Sequence, residues 1–114
     1  FLALSHYVIA GRKRYGAVLG DGGSEDLNTR IRIQGNFAEN IPLGLILMLL
    51  GEMQGAPLLS IHAMGIILIA GRMFHAWALR TQSLRWRVVG MVLTHIVMLS
   101  CAVFLIWKFM TQNF

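Results

Sequence analysis

Between Arg30 and Leu43 the chain reads Arg-Ile-Arg-Ile-Gln-Gly-Asn-Phe-Ala-Glu-Asn-Ile-Pro-Leu. On a helix, Arg32, Asn36 and Glu39 fall at i, i+4 and i+7 and share one face. They cover about 10 Å at 1.5 Å per residue. A carboxylate in such apolar surroundings is costly unless something pairs with it. Arg32 and Arg72 are its natural partners, so a structural ion pair between helices is one reading. The charge balance argues for another. Arg12, Arg14, Arg32, Arg72, Arg85 and Arg87 far outnumber Glu39, and guanidinium is the group suited to forked recognition of carboxylates. A small zwitterion with two carboxylates and an ammonium group would use both the arginine excess and Glu39.

A second cluster reads Gly71-Arg72-Met73-Phe74-His75, with Arg72 and His75 at i, i+3. A single His in a helix serves as an interhelical hydrogen-bond partner or as a ligand contact, and spacing alone leaves both open. The third basic point is Arg85-Trp86-Arg87, at the start of an apolar run. It reads as an interfacial anchor, and the positive end of a helix there would strengthen an anion site. His6, His62, His75 and His95 show no paired ligand spacing, so no metal site is expected. Cys101 is the only cysteine and lies within an apolar run, which predicts an inert buried thiol.

The elements that position these residues are set by composition. Of 114 residues, 56% are apolar and 13% charged, against roughly a quarter charged in an average soluble domain. So short a soluble protein would need more polar surface, and the excess faces lipid. The net charge of +5 is not a nucleic-acid footprint, because the basic residues sit at the ends of apolar runs and form no continuous stripe. Four apolar segments are expected as helices: Phe1–Gly11, read as the surviving end of a first span, then Asn36–Leu50 with a start as early as Asn28, Pro57–Leu79 and Val88–Phe109. The chain opens without Met inside an apolar stretch, as a trimmed N-terminus would and a signal peptide would not.

The connectors are Arg12–Leu27, Gly51–Ala56 and Arg80–Trp86. The first and third carry most of the basic residues, whereas the second carries Glu52 and no Lys or Arg. By the positive-inside rule the 1–2 and 3–4 loops are cytoplasmic. The expected fold is all-α, an integral membrane four-helix bundle over residues 1–114.

The pattern Arg32, Gln34, Asn36, Glu39, Pro42 resembles the second helix of the MAPEG family, the membrane-associated proteins in eicosanoid and glutathione metabolism. Gly71-Arg72 with His75, and the arginine opening the fourth helix, also fall where that family has them. The loop Gly20-Asp21-Gly22-Gly23 is most similar to the bacterial branch. The resemblance covers essentially the whole chain. It implies a bacterial inner-membrane homotrimer with glutathione as co-substrate, conjugated to a lipophilic electrophile, at sites between neighbouring subunits. By position, Arg32, Asn36 and Glu39 would hold the peptide's charged ends, and His75 and Arg72 would lie beside it. Arg12 or Arg14 would approach from the first helix, and Arg87 or Arg85 would stabilise the thiolate. Gln34 points about 160° away from Arg32 on the helix, so it would serve across a subunit boundary. The chain departs from eicosanoid-forming members at Asn40 and Leu79, where those carry tyrosines. Two readings from other classes remain beside this one: a small multidrug-type transporter, and a non-catalytic membrane scaffold.

Overall fold

A computed structural model describes residues 1–113, arranged as four helices in the order α1 (Leu2–Tyr15), α2 (Glu25–Met53), α3 (Leu58–Arg80) and α4 (Leu84–Asn113). The body is elongated, 58 × 27 × 21 Å. Its long axis exceeds the roughly 30 Å of a bilayer's hydrocarbon core. The helices α2, α3 and α4 are each long and apolar enough to cross a membrane, while α1 has 14 residues. Their outward faces are apolar: Leu49, Leu59, Ile66, Ile69, Leu99 and Val103 are all exposed, as lipid contact requires.

Several boundaries differ from the sequence expectation: α1 runs on to Tyr15 and so takes in Arg12 and Arg14, α2 runs on to Met53, and α2 and α4 both start early. Helix α2 begins at Glu25, not at Asn28 or Asn36, because Ser24 caps it. The Ser24 hydroxyl accepts from the Leu27 amide at 3.3 Å, and Glu25 and Asp26 sit in the first turn, where carboxylates favour the positive helix end. Asp26 then pairs with Arg30 one turn on, at 2.8 Å. The last three residues assigned to the first connector, residues 25–27, are therefore helix, and the loop is residues 16–24. Helix α4 likewise begins at Leu84, so Arg85 and Arg87 lie in its first turn and only Thr81–Ser83 link it to α3. Helix α1 ends at Gly16, whose φ of 64° is the left-handed cap that glycine adopts without strain. Pro42 lies inside α2 without ending it.

The core has two parts. Met48, Ile61, Leu68, Val97 and Cys101 pack together between α2, α3 and α4, and the Cys101 thiol faces the Met64 sulfur at 3.4 Å. Val8, Ala17 and Leu27 form a smaller cluster between α1, the loop and α2, with Ile31 against it. The tightest helix pair is α3 with α4, which meet at Gly71 and Gly90. A Cβ built on Gly90 would stand 2.6 Å from the Gly71 carbonyl oxygen and 2.7 Å from the His75 amide nitrogen. Only glycine permits that approach. It brings the functional end of α4 onto Arg72 and His75.

Candidate functional site

Arg72 is the hub. It is 8% exposed, about two turns before the C-terminal end of α3, and its two terminal nitrogens reach two different helices. Nη1 donates to Oδ1 of Asn36 on α2. Nη2 donates to the Gly90 carbonyl of α4 at 3.1 Å and to the Thr94 hydroxyl oxygen. The Thr94 hydroxyl in turn donates to the Gly90 carbonyl, 3.0 Å away. One planar guanidinium thus closes three helices on one another, a geometry that a lysine ammonium would not reproduce. His75 lies one turn beyond, 4% exposed, against the Gly90 crossing.

Glu39 pairs with neither Arg32 nor Arg72, contrary to the ion-pair reading. Asn36 occupies Arg72, and Glu39 is exposed. Among the described residues the one ion pair is Asp26–Arg30. Arg32 and Arg87 are exposed as well, one helical turn from Asn36 on α2 and from Gly90 on α4. The structure therefore brings Arg32, Asn36, Arg72, His75 and Arg87 to one end of the bundle. It also separates the two α4 arginines. Arg87 shares a helix face with Gly90 and Thr94, three and seven residues on, whereas Arg85 points about 160° away from it. Arg87 also borders a cleft of about 250 Å³ with Leu79, Gln82 and Ser83.

Gln34, Arg12 and Arg14 have partners elsewhere in the chain. The Gln34 amide nitrogen donates to the Ser5 hydroxyl at 2.8 Å, joining α2 to α1. Arg12 donates to the carbonyls of Val18, at 3.3 Å, and Gly20, at 3.0 Å, and so shapes the 1–2 loop. The Arg14 guanidinium lies 5.6 Å from the Tyr15 ring centre. None of these three reaches the Arg72 cluster.

Several contributors were missed in the sequence. Thr94 and Gly90 complete the Arg72 network, and the signal was the Arg87, Gly90, Thr94 spacing in an apolar helix. Tyr7 of α1 lies between two arginines, with the guanidinium of Arg30 4.2 Å and that of Arg80 4.8 Å from its ring centre. Arg80 also donates to the Tyr7 hydroxyl, and Arg30 to the Tyr7 carbonyl at 3.2 Å. Through Arg30 and Arg80, Tyr7 links α1 to both α2 and α3.

An apolar groove of about 430 Å³ runs between α2 and α3, with Phe37, Ile41, Leu45, Leu68 and Ile69 as walls and Arg72 at one end. It suits a lipophilic molecule entering from the bilayer. Among the described residues, no three of His, Cys, Asp and Glu come together as metal ligands would.

A helical bundle with lipid-facing walls and a polar cluster at one end defines a small integral membrane protein with a site at its interfacial end. The chain matches the MAPEG family over residues 1–107 and belongs to it. It is similar to the inner membrane protein YecN of Escherichia coli, strains K12 and O6:H1. Each shares 38% identity over 106 residues, covering 93% of this chain and 81% of the relative. No solved structure matches it. Together with the three spans, these relatives place the chain in the inner membrane.

Proposed function

We propose that the chain binds glutathione at the arginine-rich end of the bundle and transfers it to lipophilic electrophiles. The observation that carries this reading is the split between buried and exposed charge. Both terminal nitrogens of Arg72 are engaged, with Asn36, Gly90 and Thr94, while Arg32, Arg87 and Glu39 are exposed and without an ion-pair partner among the described residues. Two guanidiniums and one carboxylate suit a peptide that offers a carboxylate, a thiolate and an ammonium group.

In this reading Arg32 holds a glutathione carboxylate, Glu39 the ammonium group, and Arg87 the sulfur. A thiol with pKa near 8.5 is mostly protonated at neutral pH, and an adjacent guanidinium favours the thiolate. Each pK unit of lowering is worth about 1.4 kcal/mol. The proton passes to solvent, sulfur bonds to the electrophilic carbon, and the leaving group departs with its electron pair. The apolar groove holds the electrophile, which supplies proximity. In this reading the chain is a homotrimer in which Arg32 of one copy and Glu39 of its neighbour face one glutathione site, where the ligand's ammonium group gives the carboxylate on a membrane helix its counter-charge.

The test is calorimetry with glutathione, and turnover of a chlorinated nitroaromatic, in detergent-solubilised protein. Arg32→Ala is expected to weaken binding, and Arg87→Ala to slow turnover more than binding. Absence of glutathione binding to the wild type refutes the proposal.

A further inference from the structure

Three aromatic rings meet between α3 and α4 near the basic end of the bundle. Phe74 stacks on Trp86 with ring centres 5.4 Å apart and planes 14° from parallel. Trp77 meets Trp86 edge-on at 5.7 Å. Contacts of this geometry add to what ring burial supplies, so the rings brace one another across two helices. None of them is core: Phe74 is 38%, Trp86 42% and Trp77 50% exposed. With Met73 and Ala70 they wall an apolar cleft of about 480 Å³. Ala70, Phe74 and Trp77 recur at i, i+4 and i+7 on one face of α3 and span about 10 Å of its axis. Ala70 has no side chain beyond Cβ and leaves a recess below the rings. Tryptophans that only mark the membrane–water interface need no such recess.

Arg85 immediately precedes Trp86. It is exposed and makes no hydrogen bond or ion pair among the described residues. Val89, Val92 and Ile96 follow it at i+4, i+7 and i+11 and are exposed, so Arg85 heads a lipid-facing stripe of α4. A long basic side chain there lays its stem along apolar surface and holds its charge at the headgroups. Its counter-charge cannot come from α3 or α4, because the sequence has no Asp or Glu after Glu52. Arg80, three residues past Trp77, is turned to the Tyr7 hydroxyl, which leaves Arg85 as the free cation beside Trp86.

We propose that this cleft binds an anionic phospholipid from the leaflet at the basic end, with one acyl chain against the rings and Arg85 on the phosphate. Basic pockets between membrane helices suit anionic headgroups, and the fork of a guanidinium matches phosphate oxygens. The apolar walls select a lipid over a soluble anion, and the unmatched charge selects an anionic lipid over a zwitterionic one. Arg85 points about 160° away from Arg87 on α4, so the site is separate from the Arg72 cluster. It stands whether or not glutathione is the ligand there.

The test uses the full chain with Trp107→Phe, which leaves Trp77 and Trp86 as the tryptophans, in phosphatidylcholine vesicles. Phosphatidylglycerol or phosphatidylcholine with brominated acyl chains is added, and tryptophan quenching reads contact between chain and rings. The anionic lipid is expected to associate about fivefold more strongly, the weight of one basic residue at an anionic surface. Arg85→Gln should remove this preference and Arg85→Lys keep most of it. Ala70→Leu, which fills the recess but retains Arg85, should remove it too. Equal quenching by the two lipids, or a preference that Arg85→Gln leaves intact, overturns the site. A preference that survives Ala70→Leu means a diffuse anionic annulus only, and overturns it as well. Should Ala70→Leu fail to fold, the titration itself decides. Quenching that saturates at a low mole fraction of the anionic lipid supports one site, and quenching that tracks bulk composition refutes it.

Discussion

Gly90→Ala gives the sharpest test of how α3 and α4 are joined. The added Cβ would lie 2.6 Å from the Gly71 carbonyl oxygen, 2.7 Å from the His75 amide nitrogen and 2.9 Å from the His75 Cβ. Comfortable contact begins near 3.5 Å, so the helices must separate by roughly 1 Å. Two of the three atoms are backbone and cannot rotate away. Overpacking of this kind costs about 1–3 kcal/mol. The Arg72 bond to the Gly90 carbonyl, already 3.1 Å, stretches as well, and interhelical hydrogen bonds in membranes are worth about 0.6–1.7 kcal/mol. Against this stands about 1 kcal/mol of better helix propensity, for a net loss of roughly 1–4 kcal/mol. Gly65→Ala is the internal control. Its Cβ meets only the Met48 terminal carbon, at 3.6 Å, so the propensity gain is kept and stability rises by up to about 1 kcal/mol. Gly71→Ala, with contacts of 3.1 to 3.2 Å, falls between. Reversible unfolding in mixed detergent, followed by tryptophan fluorescence, ranks the three. If Gly90→Ala and Gly65→Ala move stability in the same direction, the close crossing at Gly90 is not what organises this end of the bundle.

A double-mutant cycle of Asn36→Leu and Arg72→Met is expected to show coupling of about 0.6–1.7 kcal/mol by the same unfolding assay; no coupling would mean that α2 is not held through this pair. Tyr7→Leu removes two cation–π contacts worth about 0.5–1 kcal/mol each at exposed sites, and should speed proteolysis of the 1–2 loop, while Tyr7→Phe keeps most of the protection. In the glutathione-conjugation assay, Arg85→Ala should retain turnover and Arg87→Ala should lose it, because only Arg87 shares the Gly90–Thr94 face.

The existence and order of the helices were legible because lipid imposes a simple demand: long apolar runs, with charge pushed to the ends. The boundaries were less so. Ser24, Glu25 and Asp26 read as loop by polarity, yet together they begin a helix, and its first three turns carry Arg30, Arg32 and Gln34. Helical spacing put Arg32, Asn36 and Glu39 on one face but could not say which of them turns inward. That depends on a neighbour from another helix. Asn36 is satisfied by Arg72, whose choice rests in turn on the Gly71–Gly90 approach. Glycine was visible as a small residue, but the pairing of one glycine with another 19 positions later is a property of packing. The role of Thr94 was hidden for the same reason.

The polar residues of this end divide by how much they can move. Arg72, Asn36 and Thr94 are locked by one another, and replacing any of them leaves a buried donor or acceptor unpaired. Locked side chains cannot also rearrange around a ligand without giving up those bonds. Arg32, Arg87 and Glu39 are exposed and hold no ion pair among the described residues. A ligand that arrives at this end therefore gains most from the exposed set, while the buried set fixes where the exposed set stands: Asn36 is one turn from Arg32 on α2, and Gly90 one turn from Arg87 on α4. Mutations in the two sets should consequently separate in kind. Changes at Arg72 or Gly90 alter stability and activity together, whereas changes at Arg32 or Arg87 alter binding or turnover with little effect on unfolding. A bundle in which Arg87→Ala destabilised the fold as much as Asn36→Leu would contradict this division.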